Sequence, residues 1–149
     1  MAADTKEPRP AKTADLPAIV TLLEGAGLPL QGIGATALWV AAMGDDGEAV
    51  GVVGLEVHGD LGLLRSLAVR EDRRGAQIGR ALVDHALTEA KKRRLHALYL
   101  LTTDASDYFI ALGFVPTTRD EVPETLLTTV EFREACPESA QVMVIALDR

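Results

Sequence analysis

Two stretches of the chain carry side chains whose types and spacing could do chemistry. The run VREDRRGAQIGRAL passes from a strand-like segment, through a basic glycine-containing turn, into a helix start. The first N–H groups of a helix have no intrahelical acceptor, and the helix dipole adds about half a positive charge there. Such a turn is ready to take an anion, and the arginines beside it strengthen the attraction for a phosphate. Gly75 and Gly79 would let a ligand approach the backbone closely. A solvated helix start, with its arginines paired to Glu71 and Asp72, is the competing reading.

The second stretch, GVVGLEVHG, holds a carboxylate, Glu56, inside an otherwise apolar strand. Desolvation makes such a carboxylate readier to take a proton, so Glu56 is a candidate general base. A place on the solvent face is the alternative. His58, two residues on, shares its face and is an alternate. Arg65, in LLRSL, falls by period two on the side of Leu67 and Val69. A buried arginine could clamp a carboxylate, phosphonate or arsonate bidentately, or pair with Glu56 across a hairpin. Arg133 is a weaker candidate.

The elements that must position these groups follow from periodicity. A short extended piece at 9–12 leads to a helix capped by Thr13 or Asp15, with Leu16, Ile19, Val20, Leu22 and Leu23 in register and Gly25 and Gly27 ending it. Residues 28–36 form a glycine-rich loop. Strands over Leu38–Met43, Ala49–His58 and Leu61–Val69 make an antiparallel meander, with Gly59-Asp60 as a two-residue hairpin turn. A helix spans Ile78 to Arg93 with its core stripe at Ile78, Leu82, Ala86 and Ala90, flanked by Val83 and Leu87. Then come a strand at Leu98–Leu101, a short helix at 105–112, extended Phe114-Val115, a loosely helical 123–135 and a strand at Val142–Leu147. A meander followed by crossover helices predicts an α/β (mixed α+β) fold: a mixed sheet with helices on its faces, not a doubly wound one.

The 149 residues are about one domain's worth, read as a polar tail at 1–8 and a single domain at 9–149. The net charge of −7 argues against nucleic acid and against an anionic membrane surface as partners. The charge is segregated: residues 70–94 hold eight basic and four acidic side chains, a local +4 against −11 for the rest. No apolar run reaches membrane-spanning length, and the N-terminus MAADTKEPRP has no signal-like centre. The lone Cys136 fits a reducing cytoplasm and reads as packing, and the three histidines lie in no metal-ligand spacing, so no metal is expected.

The run LLRSLAVREDRRGAQIGRALVDHAL resembles the coenzyme A motif of the GNAT family of N-acetyltransferases. Arg74, Gly75, Ile78 and Gly79 match its Arg-Gly-x-Gly-Ile-Gly pattern, while Gln77 stands where a glycine is usual. The opening RPAKTADLPAIVTLLEGAGLP, the meander, the YLLTT strand and FIALGFVP also align, so the resemblance spans residues 9–147. It implies a twisted sheet of six to seven strands, splayed between the fourth and fifth, with helices on both faces. It implies acetyl-CoA as co-substrate, its pyrophosphate on the backbone amides around Gly75, Gln77, Ile78, Gly79 and Arg80 and on the Arg74 side chain. Leu67 and Val69 would offer backbone groups to the pantetheine, with the Val69 N–H as oxyanion donor.

Direct transfer to the amine of a small molecule is the implied reaction, with Glu56 as base and Arg65, Glu56 and Thr103 around the acceptor. The tyrosine usual four residues before the glycine of the Gly-Phe pair is Phe109 here. Tyr108 lies one helical step of about 100° away, so packing is its expected role. The thiolate would then leave unprotonated, or take a proton from water, Ser106 or Thr103. Within the family, VGLEVHGDLGLLRSLAV, LYLLTTDASDYFIALGF and EFREACPESAQVM resemble arsenic-resistance N-acetyltransferases, which implies an amino-acid-like or organoarsenical toxic acceptor, hence detoxification. A homodimer follows by family analogy. A coenzyme A-binding regulatory module without turnover and a protein N-acetyltransferase are the alternatives.

Overall fold

The computed structural model describes residues 7–28, 30, 36–43, 47–74, 77–127, 129 and 140–147. Its elements are β1 (Arg9–Pro10), α1 (Leu16–Gly25), β2 (Ala37–Met43), β3 (Glu48–His58), β4 (Leu61–Val69), α2 (Ile78–Lys92), β5 (Ala97–Thr102), α3 (Ser106–Ala111), β6 (Val115–Thr117), α4 (Glu124–Leu127) and β7 (Gln141–Ala146). They form one seven-stranded sheet in the order β1-β2-β3-β4-β5-β7-β6. The meander β2-β3-β4 is antiparallel, and Gly59, at φ +66°, supplies the left-handed residue of the β3–β4 turn.

Two helices cover opposite faces. On one, Ile78, Leu82, Val83, Ala86 and Ala90 of α2 pack against Val53, Leu55 and Leu64. A Cβ at Gly51 would lie 2.9 Å from Leu82 Cδ1, so the missing side chain is what lets α2 sit down on β3. On the other face Ile19 and Leu23 of α1 meet Val40, Val52 and Ala68. Each buried leucine or isoleucine contributes about 1.5–3 kcal/mol relative to exposure, so the two faces together fix α1 and α2 against the sheet. Asp15 starts α1 without capping it through its side chain. Its carboxylate instead accepts from Arg9 Nη1 and Nη2, at 2.8 and 3.1 Å, and from Lys12 N at 2.7 Å, tying β1 to the helix start.

The sheet is continuous only in part. Strand β4 pairs with β5, in parallel, over Leu61–Leu63 with Ala97–Tyr99 and no further. From Leu64 to Val69 the two strands part, as the resemblance implied. Within this stretch the register against β3 jumps, with Val52 opposite Ala68 and Gly54 opposite Arg65. Ser66 and Leu67 therefore share one partner position, and Ser66 adopts φ +61°, the mark of a β-bulge.

The bulge corrects one sequence expectation. Leu64, Leu67 and Val69 all pack on the α2 side, whereas Ala68 packs on the α1 side. Arg65, directly opposite Gly54 and in step with Glu56, projects from the face opposite to Leu67 and Val69. Period-two counting placed them together; one extra residue reverses the count. Among the described residues no helix is long and apolar enough to cross a membrane, and no three His, Cys, Asp or Glu side chains converge. Arg133 and Cys136 and most of the 28–36 loop lie outside the described residues, as do the tail to residue 6 and most of 128–139.

Candidate active site

Where β4 leaves β5 the sheet opens a cleft of about 680 Å³. Its walls come from Gly25–Leu28 at the end of α1, Leu64–Val69 of β4, Leu100–Thr102 of β5 and the residues leading into α3. The β4 edge facing it lacks the ladder partner β5 supplies lower down. Arg70 N donates to Val50 O at 2.7 Å, so by strand alternation the peptide groups of Val69 and Leu67 turn away from β3, into the gap. An extended amide-bearing ligand could pair there as an added strand.

At one end of this edge stands the N-terminus of α2. The first intrahelical bond is Ala81 N to Gln77 O, which leaves the N–H groups of Ile78, Gly79 and Arg80 without intrahelical acceptors. The Gln77 side chain makes no capping bond, and the first turn holds no acidic residue. Gln77 takes φ +67°, ψ 12°, the left-handed conformation that a glycine there would adopt without strain. Gly75, the other glycine of the loop, lies outside the described residues. The side chain of Ile78 is buried in the core, whereas Gln77 and Arg80 point outward, with Arg80 Nε 4.0 Å from Asp84.

The arginines of the turn divide their work. Arg70 pairs with Asp72 at 2.7 Å and with Glu48 at 3.5 Å, and this pairing holds the Asp72 carboxyl below its ordinary range. Arg74 and Arg73 face the cleft. Arg74 Nε donates to Val69 O at 3.2 Å, and the buried Nε of Arg73 has no hydrogen-bond partner among the described residues. Lys91–Arg94 lie at the other end of a 15-residue helix, about 22 Å away. The basic surplus of 70–94 therefore splits, and of it only Arg73 and Arg74 border the cleft.

Tyr108 overturns its expected role. It lines the cleft, and a Cβ added to Gly79 would sit 2.5 Å from its hydroxyl, so the phenol lies against the first turn of α2. Phe109, at the position usual for tyrosine, is buried and stacks edge-on against Phe114 at 5.7 Å. Helix α3 has only six residues, and both Tyr108, half-exposed, and Phe109, buried, border the cleft. Burial raises the Tyr108 phenol above its ordinary value, and Asp84 adds to the rise against Arg80, so it is a hydrogen-bond donor at neutral pH.

The other functional cluster joins β3 to β4. Arg65 Nη1 donates to Glu56 Oε2 at 2.7 Å, the Arg65 side chain is 0% exposed, and the residue borders the cleft. Its Nε donates to Ser66 Oγ at 3.2 Å. Glu56 Oε1 meets His58 Nε2 at 2.9 Å, and Thr36 Oγ1 reaches Oε2 at 3.4 Å. Both carboxylate oxygens are thus engaged, and Glu56 sits behind Arg65 rather than on the cleft wall. Thr103 lines the cleft, and Ser106 does not. Sequence reasoning missed Arg73 and Tyr108 as cleft residues.

Similarity to known proteins places this geometry. Residues 15–114 match the Acetyltransferase (GNAT) family. Over 138 residues the chain is 34% identical to an amino-acid acetyltransferase of Mycobacterium tuberculosis, covering 86% of this chain and 76% of that protein. It superposes on Rv2747 of the same organism, solved with CoA, at a TM-score of 0.78 and 27% identity, over 97% of this chain and 99% of that one. N-acetylglutamate synthase from Neisseria gonorrhoeae, solved with coenzyme A and N-acetyl-glutamate, shares the fold at a TM-score of 0.81 and 24% identity; the alignment takes 97% of this chain but 35% of the synthase. The present chain thus spans about a third of that enzyme's length. Fold, family match and a relative above 30% identity agree: this chain belongs to the GNAT family of acetyltransferases.

Proposed function

We propose that the protein transfers the acetyl group of acetyl-CoA to the amine of a small, carboxylate-bearing acceptor of the amino-acid type. The observation that carries this reading is the parting of β4 from β5, which sets an open strand edge beside the uncapped N-terminus of α2. The fit to coenzyme A is chemical. Open N–H groups of Ile78, Gly79 and Arg80, the Arg74 guanidinium and the orphaned Arg73 Nε suit phosphate oxygens. The backbone of Leu67 and Val69 suits the two amides of the pantetheine arm.

Acetyl-CoA supplies a thioester carbon that the acceptor nitrogen attacks: a C–N bond forms, the C–S bond breaks, and the amine proton passes to solvent or to the departing sulfur. The chain orients and stabilises. The Val69 N–H, facing the gap, donates to the acetyl oxygen as negative charge gathers on it. Arg65, on the α1 face of β4 at the border of the cleft, holds the acceptor carboxylate, with Thr103 and the small residues Gly25, Ala26 and Gly27 bounding the space around it. Glu56 fits the role of Arg65 counter-ion better than that of base, because both its oxygens are engaged. On this reading the acceptor enters as the free amine.

An organoarsenical acceptor, implied by the narrower resemblance, presents an arsonate to the same guanidinium. Thiol release from acetyl-CoA, followed with α-amino acids, the same skeletons without the carboxylate, and amino-arsonates, tests the proposal. Turnover confined to anion-bearing amines supports it, and the arsonate arm decides between the two acceptor classes. Coenzyme A binding without turnover on any amine would leave a binding module, and preference for peptides would point to a protein substrate.

A further inference from the structure

We infer that Asp104 is a catalytic residue of the proposed transfer, the carboxylate that takes the proton of the attacking amine. This rests on the reading of the cleft as an N-acetyltransferase site. Arg65, Arg73 and Arg74 border that cleft, and among the described residues that do so Asp104 alone carries a carboxylate. Asp104 is exposed, and no hydrogen bond or ion pair to a described residue engages its side chain. Glu56 differs on both counts: its two oxygens are engaged, and it does not border the cleft.

The place of Asp104 along the strands follows from register. Strand β4 pairs with β5 as Leu61 with Ala97 and Leu63 with Tyr99. The bulge at Ser66 spends one extra residue of β4. Carried up both sides of the opening, the same register therefore sets Asp104 level with Val69. Asp104 lies two residues past the end of β5, where Thr102 Oγ1 accepts from Ala105 N at 3.0 Å and fixes the turn. Val69, on one side of the gap, offers the N–H assigned to the acetyl oxygen. Asp104 stands on the other side.

The chemistry asks for a carboxylate there. A neutral amine nitrogen gains positive charge as its bond to the thioester carbon forms, and its N–H becomes more acidic. Asp104 accepts a hydrogen bond from that N–H and opposes the growing charge. It takes the proton as the C–S bond breaks and its electron pair leaves on sulfur. The products are the amide and the coenzyme A thiolate, and the acid formed at Asp104 gives its proton to solvent.

Three variants test the inference with the best amine of the acceptor panel. Asp104→Asn removes the charge at constant shape, Asp104→Glu keeps it, and Asp104→Ala opens room for added formate. The kcat/KM for the amine should fall about a hundredfold in the Asn and Ala variants and recover to within about tenfold of wild type in the Glu variant. Formate should speed the Ala variant about tenfold and leave wild type unaffected. Coenzyme A affinity, read by calorimetry, should hold within about twofold in all three.

Asn and Ala variants within about threefold of wild type would overturn the inference and leave the proposed function intact. A loss shared by coenzyme A affinity, and answered by neither formate nor glutamate, would overturn it too, because it would mark Asp104 as part of the turn and not of the reaction. Acetylation of no amine by the wild type would remove the proposed function, and this role with it.

Discussion

Gly79→Ala perturbs the junction of β4, α2 and α3 by one methyl group. The added Cβ would lie 2.5 Å from Tyr108 Oη, 3.6 Å from its Cζ and 3.8 Å from Val69 Cγ2. The hydroxyl must retreat by about 1 Å to reach ordinary contact. The Tyr108 ring, packed edge-on against Phe109 at 5.3 Å and otherwise half-exposed, can give way toward the cleft but not toward the core. Fold stability should barely change, since alanine gains up to about 1 kcal/mol of helix propensity to offset the shift. Coenzyme A affinity should fall about tenfold, or about 1.4 kcal/mol, as the methyl and the displaced ring crowd the first turn of α2.

Tyr108→Phe removes the obstructing atom and leaves Cζ at an ordinary 3.6 Å. Gly79→Ala should therefore cost less affinity in the Phe background, with a coupling of about 1 kcal/mol. Calorimetric titration of coenzyme A into the four proteins of this cycle is the assay. Effects that add to within about 0.3 kcal/mol would refute the argument that the phenol and the helix start form one site.

Other consequences are local. Gln77→Gly should stabilise the fold by about 0.5 kcal/mol, because relief of the left-handed strain slightly exceeds the entropy glycine adds to the unfolded chain. Gln77→Val should lose more than 1 kcal/mol relative to that variant, both read from denaturant midpoints. Asp15→Asn should cost about 2 kcal/mol at neutral pH, since three donors converge on that carboxylate. The Arg9 hydrogen bond, with help from Lys12, lowers the Asp15 carboxyl below its ordinary 3.8. A depressed carboxylate stabilises above its unfolded value and ceases to do so as pH falls through its folded one. The difference between wild type and Asp15→Asn should thus be full above about pH 5 and shrink steadily below pH 4; a gap independent of pH would contradict it.

The fold was legible where pattern and backbone agree. The bounds of β4, the stripe of α2 and the Gly59 turn follow from a strand-like run after a turn signal, period 3.6 and a two-residue loop. The candidate site was legible where it rests on backbone: from Gln77 the chain does enter a helix whose first N–H groups have no intrahelical acceptor. Arg65 was misplaced because Ser66 carries no sign of its left-handed φ, so the alternation read through it without interruption. Tyr108 was misplaced because a helical wheel gives a direction relative to Phe109 but not what lies there, and in a six-residue helix that is the neighbouring cleft. The basic surplus was read as a single feature, although a helix of 15 residues separates its halves.

The central claim, acetyl transfer to an amine whose anion sits on Arg65, is tested most directly by selectivity in a charge-free variant of the pair. Arg65→Gln alone would strand a buried carboxylate, so Glu56→Gln is combined with it. The quantity is kcat/KM for an α-amino acid divided by kcat/KM for the same skeleton without its carboxylate, in wild type and in the double variant. The ratio should fall by at least about tenfold in the double variant, through the amino-acid term, as one charged hydrogen-bonded contact is lost. An unchanged ratio would show that the acceptor's anion is bound elsewhere.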